Sequence, residues 1–526
     1  MQQRITINLN TDSKTTDKTT ILEYCSSHGI AGIETPCGGK GTCGKCKVTV
    51  TKPYYKDVLA CRTKICDGME IIVGGKESTG TKEDSMVVLT NGENVSEKFN
   101  EHVNRNVEDT LAACDIGTTT VVCYLIDKET GQIISTRSGA NPQRSFGADV
   151  LSRIDAAARA DDNDKANGGL QMMQTQIVSL LNGWISEMLT ECGRTKVSRF
   201  SVAGNTVMCH LLMGISPEKL GKAPFMPDEY FGREFNPLDI GLENCQTMII
   251  FPAVSGFVGG DITAGMMETV NCNELTLYLD IGTNGEMALG IGDRYVCCAT
   301  AAGPAFEGSQ IELGMPASKG AVDKVWLEGR RIKYSVIGND RPVGLCGSGL
   351  IDALAVLLKA GIIDENGTIL SGQELPILFR SYVFEVEAEE TAQSTESSLV
   401  VHIAPGVYIT QDDIRKLQLA KGAIAAGIEV LFKEYGCKPC DLDILTFAGG
   451  FGNYIDKASA AAIGLFPQEL LDKAKEVGNA AGNGAVSAAL SQEAWKRALD
   501  ISGNMRYIEL ASYPHFNEMY VEHMNF

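Results

Sequence analysis

Apolar residues follow two patterns along the chain. Arg4 to Leu9 (RITINL) alternates, as a half-buried strand does, whereas Thr120 to Asp127 (TVVCYLID) and Met287 to Ile291 (MALGI) are nearly unbroken apolar runs of strand length. Each of the two unbroken runs follows a short glycine turn. The first turn is Asp115-Ile116-Gly117-Thr118-Thr119 and the second is Asp280-Ile281-Gly282-Thr283-Asn284. Small and apolar residues precede both, so each copy predicts strand, tight turn, strand. The pattern repeats further on. Arg199 to Thr206 is a strand ending in Ala-Gly-Asn, and Ile444 to Asn453 is a strand ending in Ala-Gly-Gly-Phe-Gly-Asn; helical stretches follow at Val207 to Met213 and Ala458 to Ile463. A third echo runs from Phe251-Pro252 to Gly259-Gly260-Asp261 and a helix, and from Phe466-Pro467 to Gly478-Asn479-Ala480 and a helix from Gly484.

The same elements therefore occur twice in the same order. The first interval from Asp-Ile-Gly to Ala-Gly is 88 residues and the second 168, which places an insertion around 319–401. It contains a strand-like run from Val325 to Val336 and a polar stretch, Glu387 to Ser398, expected as an exposed loop.

A glycine turn lets backbone N–H groups approach an anion closely. Threonine hydroxyls add donors, and an Asp at the strand end can hold a hydrated Mg²⁺. A single Asp-x-Gly-Thr would be an ordinary hairpin turn, but two facing copies would grip a polyphosphate from both sides. Asp261 is a weaker candidate Mg²⁺ neighbour. His210, on an apolar helix, reads as a core residue. Gly344 to Asp352 opens a helix whose N-terminus, with Gly347 and Ser348, could bind an anion or ribose. Glu286 could orient an attacking water or form a strand-end salt bridge. Cys437-Lys438-Pro439-Cys440 is a C-x-x-C without a second pair and reads as a loop.

The N-terminal 75 residues carry different chemistry. Cys37, Cys43, Cys46 and Cys61 stand at C-x5-C-x2-C-x14-C, the first three within a glycine-rich loop. Such a loop can wrap an inorganic cluster and point N–H groups at its sulfurs. Structural zinc usually takes two short C-x2-4-C pairs, which this spacing lacks. Cys66 is a rival fourth ligand, and Cys25 reads as core. A polar tether, residues 76–111, follows; Val95, Phe99, Val103 and Val107 at spacing four suit a short amphipathic helix within it.

Composition narrows the classes. The 526 residues are enough for about three domains. A net charge of −20 argues against a nucleic-acid binder. Neither a signal peptide nor a membrane span is expected. Seventeen cysteines without regular pairing suit a cytoplasmic, reducing home. Residues 1–75 hold ten Lys and Arg against seven Asp and Glu, so this segment is basic within an acidic chain and is suited to transient docking on an acidic surface.

Residues 1–75 resemble the plant or adrenodoxin type of [2Fe–2S] ferredoxin domain, which implies a β-grasp-like fold and ligation by Cys37, Cys43, Cys46 and Cys61. The duplicated remainder resembles the superfamily of acetate and sugar kinases, heat-shock protein 70 chaperones and actin. That implies two ribonuclease-H-like α/β halves, 112–272 and 273–526, with ATP and Mg²⁺ in the cleft between them. By position, Asp115 and Asp280 are the implied Mg²⁺ and water partners. Gly117, Thr118, Thr119, Gly282, Thr283, Asn284 and Gly285 are the implied phosphate donors, and Gly449, Gly450 and Asn453 belong to the implied adenosine motif.

The whole order resembles the ATP-dependent reductive activators of corrinoid proteins. Cys298 to Met315 (CATAAGPAFEGSQIELGM) and Asn141 to Arg153 (NPQRSFGADVLSR) look like signatures of that family. The resemblance implies reduction of an inactive Co(II) corrinoid to Co(I) by one electron, driven by ATP. It implies as partners a corrinoid protein of a methyltransferase system and a low-potential electron donor, with a homodimer possible. A redox-regulated small-molecule kinase of the same superfamily is the alternative.

Overall fold

The structure is a computed structural model and describes residues 3–7, 19–27, 33, 46–52, 55–73, 110–158, 168–386, 398–452 and 454–526. The linker helix expected around Val95 to Val107 and the loop 387–397 lie outside the described residues.

The N-terminal unit comprises β1 (Gln3–Ile7), α1 (Ile21–Ser27), β2 (Lys47–Lys52), β3 (Lys56–Leu59) and β4 (Met69–Val73). Its strands lie in the order β1-β4-β2-β3, each described pairing antiparallel. A capping box starts α1: the Thr20 hydroxyl accepts the Glu23 N–H at 3.3 Å, and the Glu23 carboxylate accepts the Thr20 N–H at 2.7 Å. The helix lays Ile21, Tyr24 and Cys25 on Ile7, Val48, Val50 and Ile71 of the sheet. Each such buried aliphatic side chain contributes about 1.5–3 kcal/mol.

The first lobe of the body is built from β5 (Thr110–Ile116), β6 (Thr120–Asp127), β7 (Ile133–Ala140), α2 (Val150–Ala158), α3 (Gly169–Glu191), β8 (Val197–Gly204), α4 (Thr206–Met213), β9 (Arg233–Phe235), β10 (Cys245–Ile250) and α5 (Gly260–Thr269). Its sheet runs β7-β6-β5-β8-β10-β9, antiparallel through β7-β6-β5 and parallel through β5-β8-β10. Helices cover both faces, which is why β5 and β6 read as unbroken apolar runs rather than alternating ones.

The second lobe starts with β11 (Thr276–Ile281), β12 (Gly285–Ile291) and β13 (Arg294–Thr300). The insertion follows, with β14 (Ala321–Glu328), β15 (Arg331–Val336), β16 (Gly344–Leu345), α6 (Gly347–Lys359), β17 (Val383–Val386), β18 (Ser398–Ala404) and β19 (Val407–Thr410). The run Val325 to Val336 is not one strand. Gly329, at φ +62°, turns it into the β14–β15 hairpin, a conformation that glycine reaches without strain. The lobe closes with α7 (Gln411–Tyr435), β20 (Ile444–Ala448), α8 (Gly449–Gly452), α9 (Lys457–Ala462), β21 (Ala474–Glu476), α10 (Ala480–Leu490), α11 (Gln492–Gly503), β22 (Met505–Tyr507) and α12 (Phe516–Glu522). Its main sheet, β21-β20-β11-β12-β13-β22, repeats the first lobe's pairing pattern: β11 is antiparallel to β12 and parallel to β20.

The lobes share a core. Tyr124 and Ile126 of the first sheet and Tyr278, Ala288 and Cys297 of the second pack with α5 and α10 in one buried cluster. Those helices cross at backbone distance: a Cβ on Gly484 would lie 2.2 Å from the Ala264 carbonyl oxygen, and one on Gly265 would lie 1.9 Å from the Tyr278 hydroxyl. Glycine is required at both positions by this close approach.

Candidate functional site

The two glycine turns are the β5–β6 and β11–β12 hairpin connections. In the first, the Gly117 N–H donates to the Thr120 carbonyl at 2.9 Å, and a Cβ on Gly117 would stand 2.8 Å from that oxygen. The loop's carbonyls are all taken from below. The Asn141 side-chain amide donates to Gly117 O at 2.8 Å, the Asn141 backbone N–H to Thr119 O at 2.9 Å, and the Arg153 guanidinium to Thr118 O.

Acceptors rather than donors surround the second turn. The Gly282 N–H donates to Asn284 O at 2.9 Å, the Thr283 hydroxyl to Glu307 Oε1 at 3.0 Å, and the Asn284 amide to Glu286 Oε1 at 3.3 Å. Asp280 on β11 pairs in register with Glu286 on β12, so the two acids share one face of the sheet. No cation pairs with Glu286 among the described residues, so the strand-end salt bridge is not formed. Gly449, at φ +80°, abuts the same face: a Cβ there would be 2.4 Å from Asp280 Oδ1.

Asp115 and Asp261 of the first lobe meet Asp280 and Glu286 of the second. Burial pushes the Asp115 carboxyl up to about 8; the charges of Asp261 and Asp280 add to this, and a hydrogen bond from Asn479 opposes it. Burial and then Asp261 push Asp280 up to about 7. Asp261 itself rises to about 6 through burial, held back by the Ile262 N–H. Glu286 rises for the same reasons, burial first, then Asp261 and Asp280. Four acids raised by burial, three of them also by the charge of neighbouring acids, form a site that favours a cation. Among the described residues no three His, Cys, Asp or Glu side chains stand close enough to ligate one metal directly. The acids therefore suit a hydrated Mg²⁺ better than a dehydrated ion.

Several contributors were not legible as site residues. Asn479 caps α10 by accepting the Gly482 N–H at 2.9 Å and donates to the Tyr124 hydroxyl at 3.4 Å, so it ties the second lobe to the first beside Asp115. Glu307, on the turn Pro304–Glu307, is raised by burial; the Thr283 hydroxyl and the charge of Arg144 on the first lobe oppose that rise. The signal for Arg153 was available, since its spacing from Val150 and Ile154 puts it on the apolar face of α2, an unusual place for a charge.

The other expected residues lie as follows. Gly347 and Ser348 open α6, and the Ser348 hydroxyl donates to the Asp323 carbonyl of β14 at 2.8 Å, so its proton is engaged within the lobe. α6 packs on α9, the helix after the Gly449 turn. Gly450 lies in α8, and Asn453 lies outside the described residues. His210 is fully buried, with Nδ1 2.8 Å from the Thr206 carbonyl and its ring edge-on to Phe231, and burial lowers its pKa; this is a core environment.

In the N-terminal unit, the β2–β3 register carries Cys46 opposite Ala60, whose N–H donates to Cys46 O at 2.8 Å. Cys61 follows, and its Sγ lies 3.2 Å from Cys46 Sγ, with neither cysteine in a disulfide. That separation is well beyond a disulfide bond of about 2.05 Å. Two unbonded sulfurs so close fit ligands of one iron, and the residues present fit a [2Fe–2S] cluster on that count. Cys66 is exposed, and Cys37 and Cys43 lie outside the described residues.

Comparison with known proteins adds three family matches in chain order. Residues 7–66 match a 2Fe-2S iron-sulfur cluster binding domain, residues 111–271 the RACo middle region, and residues 274–526 the C-terminal ASKHA domain of RACo. The chain is 32% identical to the corrinoid activation enzyme RamQ of Eubacterium limosum, with 95% of each chain covered. It is 27% identical to the [Co(II) methylated amine-specific corrinoid protein] reductase of Methanosarcina barkeri, over 68% of this chain and 65% of that one. Among solved structures it resembles a reductive activator for corrinoid, iron-sulfur protein, at 29% identity and a TM-score of 0.67, covering 97% of this chain and 96% of the other.

Proposed function

The chain belongs to the RACo family of reductive activators of corrinoid proteins, and from that premise we propose how its residues divide the work of an ATP-dependent iron–sulfur reductase that returns an inactive Co(II) corrinoid to Co(I). Its substrate is the cobalt of a partner corrinoid protein, its cofactors a [2Fe–2S] cluster, ATP and Mg²⁺. When bound, the cluster supplies one electron at a low potential, about −400 mV for plant-type clusters, and MgATP supplies the free energy of hydrolysis. Each ~59 mV of uphill one-electron transfer costs about 1.4 kcal/mol.

Cys37, Cys43, Cys46 and Cys61 hold the cluster in residues 1–75, and residues 76–111 tether that unit to the lobes 112–272 and 273–526. Thr118 and Thr119 on one side and Thr283, Asn284 and Gly285 on the other receive the phosphates. Asp115 and Asp280 hold the water shell of Mg²⁺, with Asp261 behind them. Glu286 orients the attacking water, kept in place by the Asn284 amide. Gly449, Gly450 and Asn453 receive the adenosine, with Gly347 and Ser348 alongside. Closing of the lobes on ATP is the two-state element that couples hydrolysis to reduction. The partner is the corrinoid protein of a methyltransferase system, the electron donor is a low-potential carrier, and the activator works in the cytoplasm. Among the described residues no helix is long and apolar enough to cross a membrane.

One observation supports this reading above the others: acids and glycine loops from both lobes converge on one site, while two cysteine sulfurs 3.2 Å apart, not joined in a disulfide, stand in a separate N-terminal unit. Asp115→Ala or Asp280→Ala is expected to abolish ATP-dependent corrinoid reduction and leave the cluster's visible spectrum intact. Cys46→Ser or Cys61→Ser is expected to do the reverse, removing the visible spectrum while ATP hydrolysis persists. Loss of the spectrum in the Asp variants would overturn the division.

A further inference from the structure

We infer that Arg153, acting with Asn141, is a positioning residue for the nucleotide's phosphates: by taking up the carbonyls of the first glycine loop, the pair aims the Thr118 and Thr119 amides at an oxyanion. The inference rests on the reading of the twin loops as the nucleotide site.

The geometry follows from the peptide group. A trans peptide is planar, and its C=O and N–H point in opposite directions. The Gly117 carbonyl is held from below by the Asn141 amide at 2.8 Å, so the Thr118 N–H of that same peptide points up. The Thr118 carbonyl is held from below by the Arg153 guanidinium, so the Thr119 N–H points up as well. Neither amide donates to any group among the described residues. Two adjacent upward N–H groups without partners make an anion-binding concavity.

Arg153 is poorly explained as a mere filler. It is fully buried, and its other donors go to Gly147 O at 3.0 Å and Met208 Sδ at 3.0 Å. No carboxylate forms an ion pair with it among the described residues; neighbouring Asp149 spends its Oδ1 on the Ser152 N–H at 2.7 Å. Val150 and Ile154 share its helix face, where an aliphatic side chain would pack at lower cost. A buried cation hydrogen-bonded only to neutral groups is costly until an anion arrives, and burial, with the charge of Arg144 adding and that of Asp149 opposing, already pushes its pKa down to about 9. Above the loop, the anion is the nucleotide's phosphate. The guanidinium thus locks the loop and places a positive charge beneath it. Gly147 makes the reach possible, since a Cβ there would lie 2.4 Å from Ser152 Cβ.

The test compares ATP with adenosine, titrated calorimetrically into the cluster-loaded full chain. Arg153→Met is expected to weaken ATP binding roughly tenfold or more and leave adenosine binding unchanged. It should raise KM for ATP in corrinoid reduction, with kcat recovering at saturating ATP, and Arg153→Lys should restore part of the ATP affinity. Asn141→Ser, which releases Gly117 O, is the second variant and is expected to show the same contrast; it decides the matter if Arg153→Met does not fold. Equal losses for ATP and adenosine, or no loss for either, would overturn the inference. The underlying reading fails separately, if Asp115→Ala keeps full ATP-dependent reduction.

Discussion

The two glycine loops are near copies in sequence and opposites in surroundings. The first rests on donors, the Asn141 amide and the Arg153 guanidinium, which hold its carbonyls down and leave two N–H groups free. The second is flanked by acceptors, Glu307 on its Thr283 hydroxyl and Glu286 on its Asn284 amide. One sequence motif has thus become a rigid anion cradle in one lobe and an acid-lined wall in the other. On the proposed reading, in which both loops receive phosphates, the difference makes the first loop the firmer grip and gives the orienting of the attacking water to the second. Strand pairing and the glycine turn are shared by both copies; the chemistry is set by what packs behind them.

If that division holds, variants on the two sides fail differently. The largest effect belongs to the acids of the second loop. Glu286→Gln is expected to lower the kcat of ATP hydrolysis about 10²-fold or more with ATP affinity within about twofold, as isosteric loss of a water-orienting group should. Glu307→Gln is the companion measurement: a larger kcat loss than for Glu286→Gln would transfer the water-orienting role to Glu307. A rise in KM without a fall in kcat for both would erase the contrast with the first loop.

A smaller effect is expected at the turn that bounds the acid face. Gly449→Ala pushes a methyl group against Asp280 Oδ1 at a positive φ, so about 1–3 kcal/mol of strain is expected. It should appear as weaker MgATP binding, measured by titration, with the cluster spectrum unchanged. Unaltered binding would mean that Asp280 does not need its present position.

The smallest effect comes from a control. Lys421, on α7, is like Arg153 a buried cation held by carbonyls, in its case those of His523 and Asn525 rather than of either glycine loop. Burial pushes its pKa down to about 8. Above that pH the folded chain releases this proton while the unfolded chain keeps it up to the ordinary value of 10.5, so this residue makes stability rise with pH between about 8 and 10.5. Lys421→Met is expected to flatten that rise in melting temperature and to leave the contrast between ATP and adenosine untouched. Losing the contrast would mean that any buried cation on the body tunes the nucleotide site.

What was legible in the sequence follows the same line. The hairpins, the Ala-Gly strand ends and their order could be read because each depends on local signals, namely apolar runs closed by glycine. The insertion showed itself through unequal spacing, but the hairpin inside it was hidden because Gly329 stands within an otherwise strand-like run. Asp115 and Asp280 stand out in the motif, whereas Glu307 and Asn479 do not, and for Arg153 the sequence carries its place on an apolar helix face but not its partners. Their roles arise from contacts across 24 to 355 residues of chain, which no local pattern encodes. In the N-terminal unit the ligand set was expected from cysteine spacing alone, and of its members the structure describes Cys46 and Cys61, whose Sγ atoms stand 3.2 Å apart.

The most direct test of the central claim mixes the reduced protein with a Co(II) corrinoid protein under anaerobic conditions and follows the cobalt absorption spectrum with and without MgATP. The account predicts Co(I) formation that depends on MgATP, with little in its absence. Equal yield and rate of Co(I) in both samples would contradict it, because the twin loops would then have no part in sending the electron.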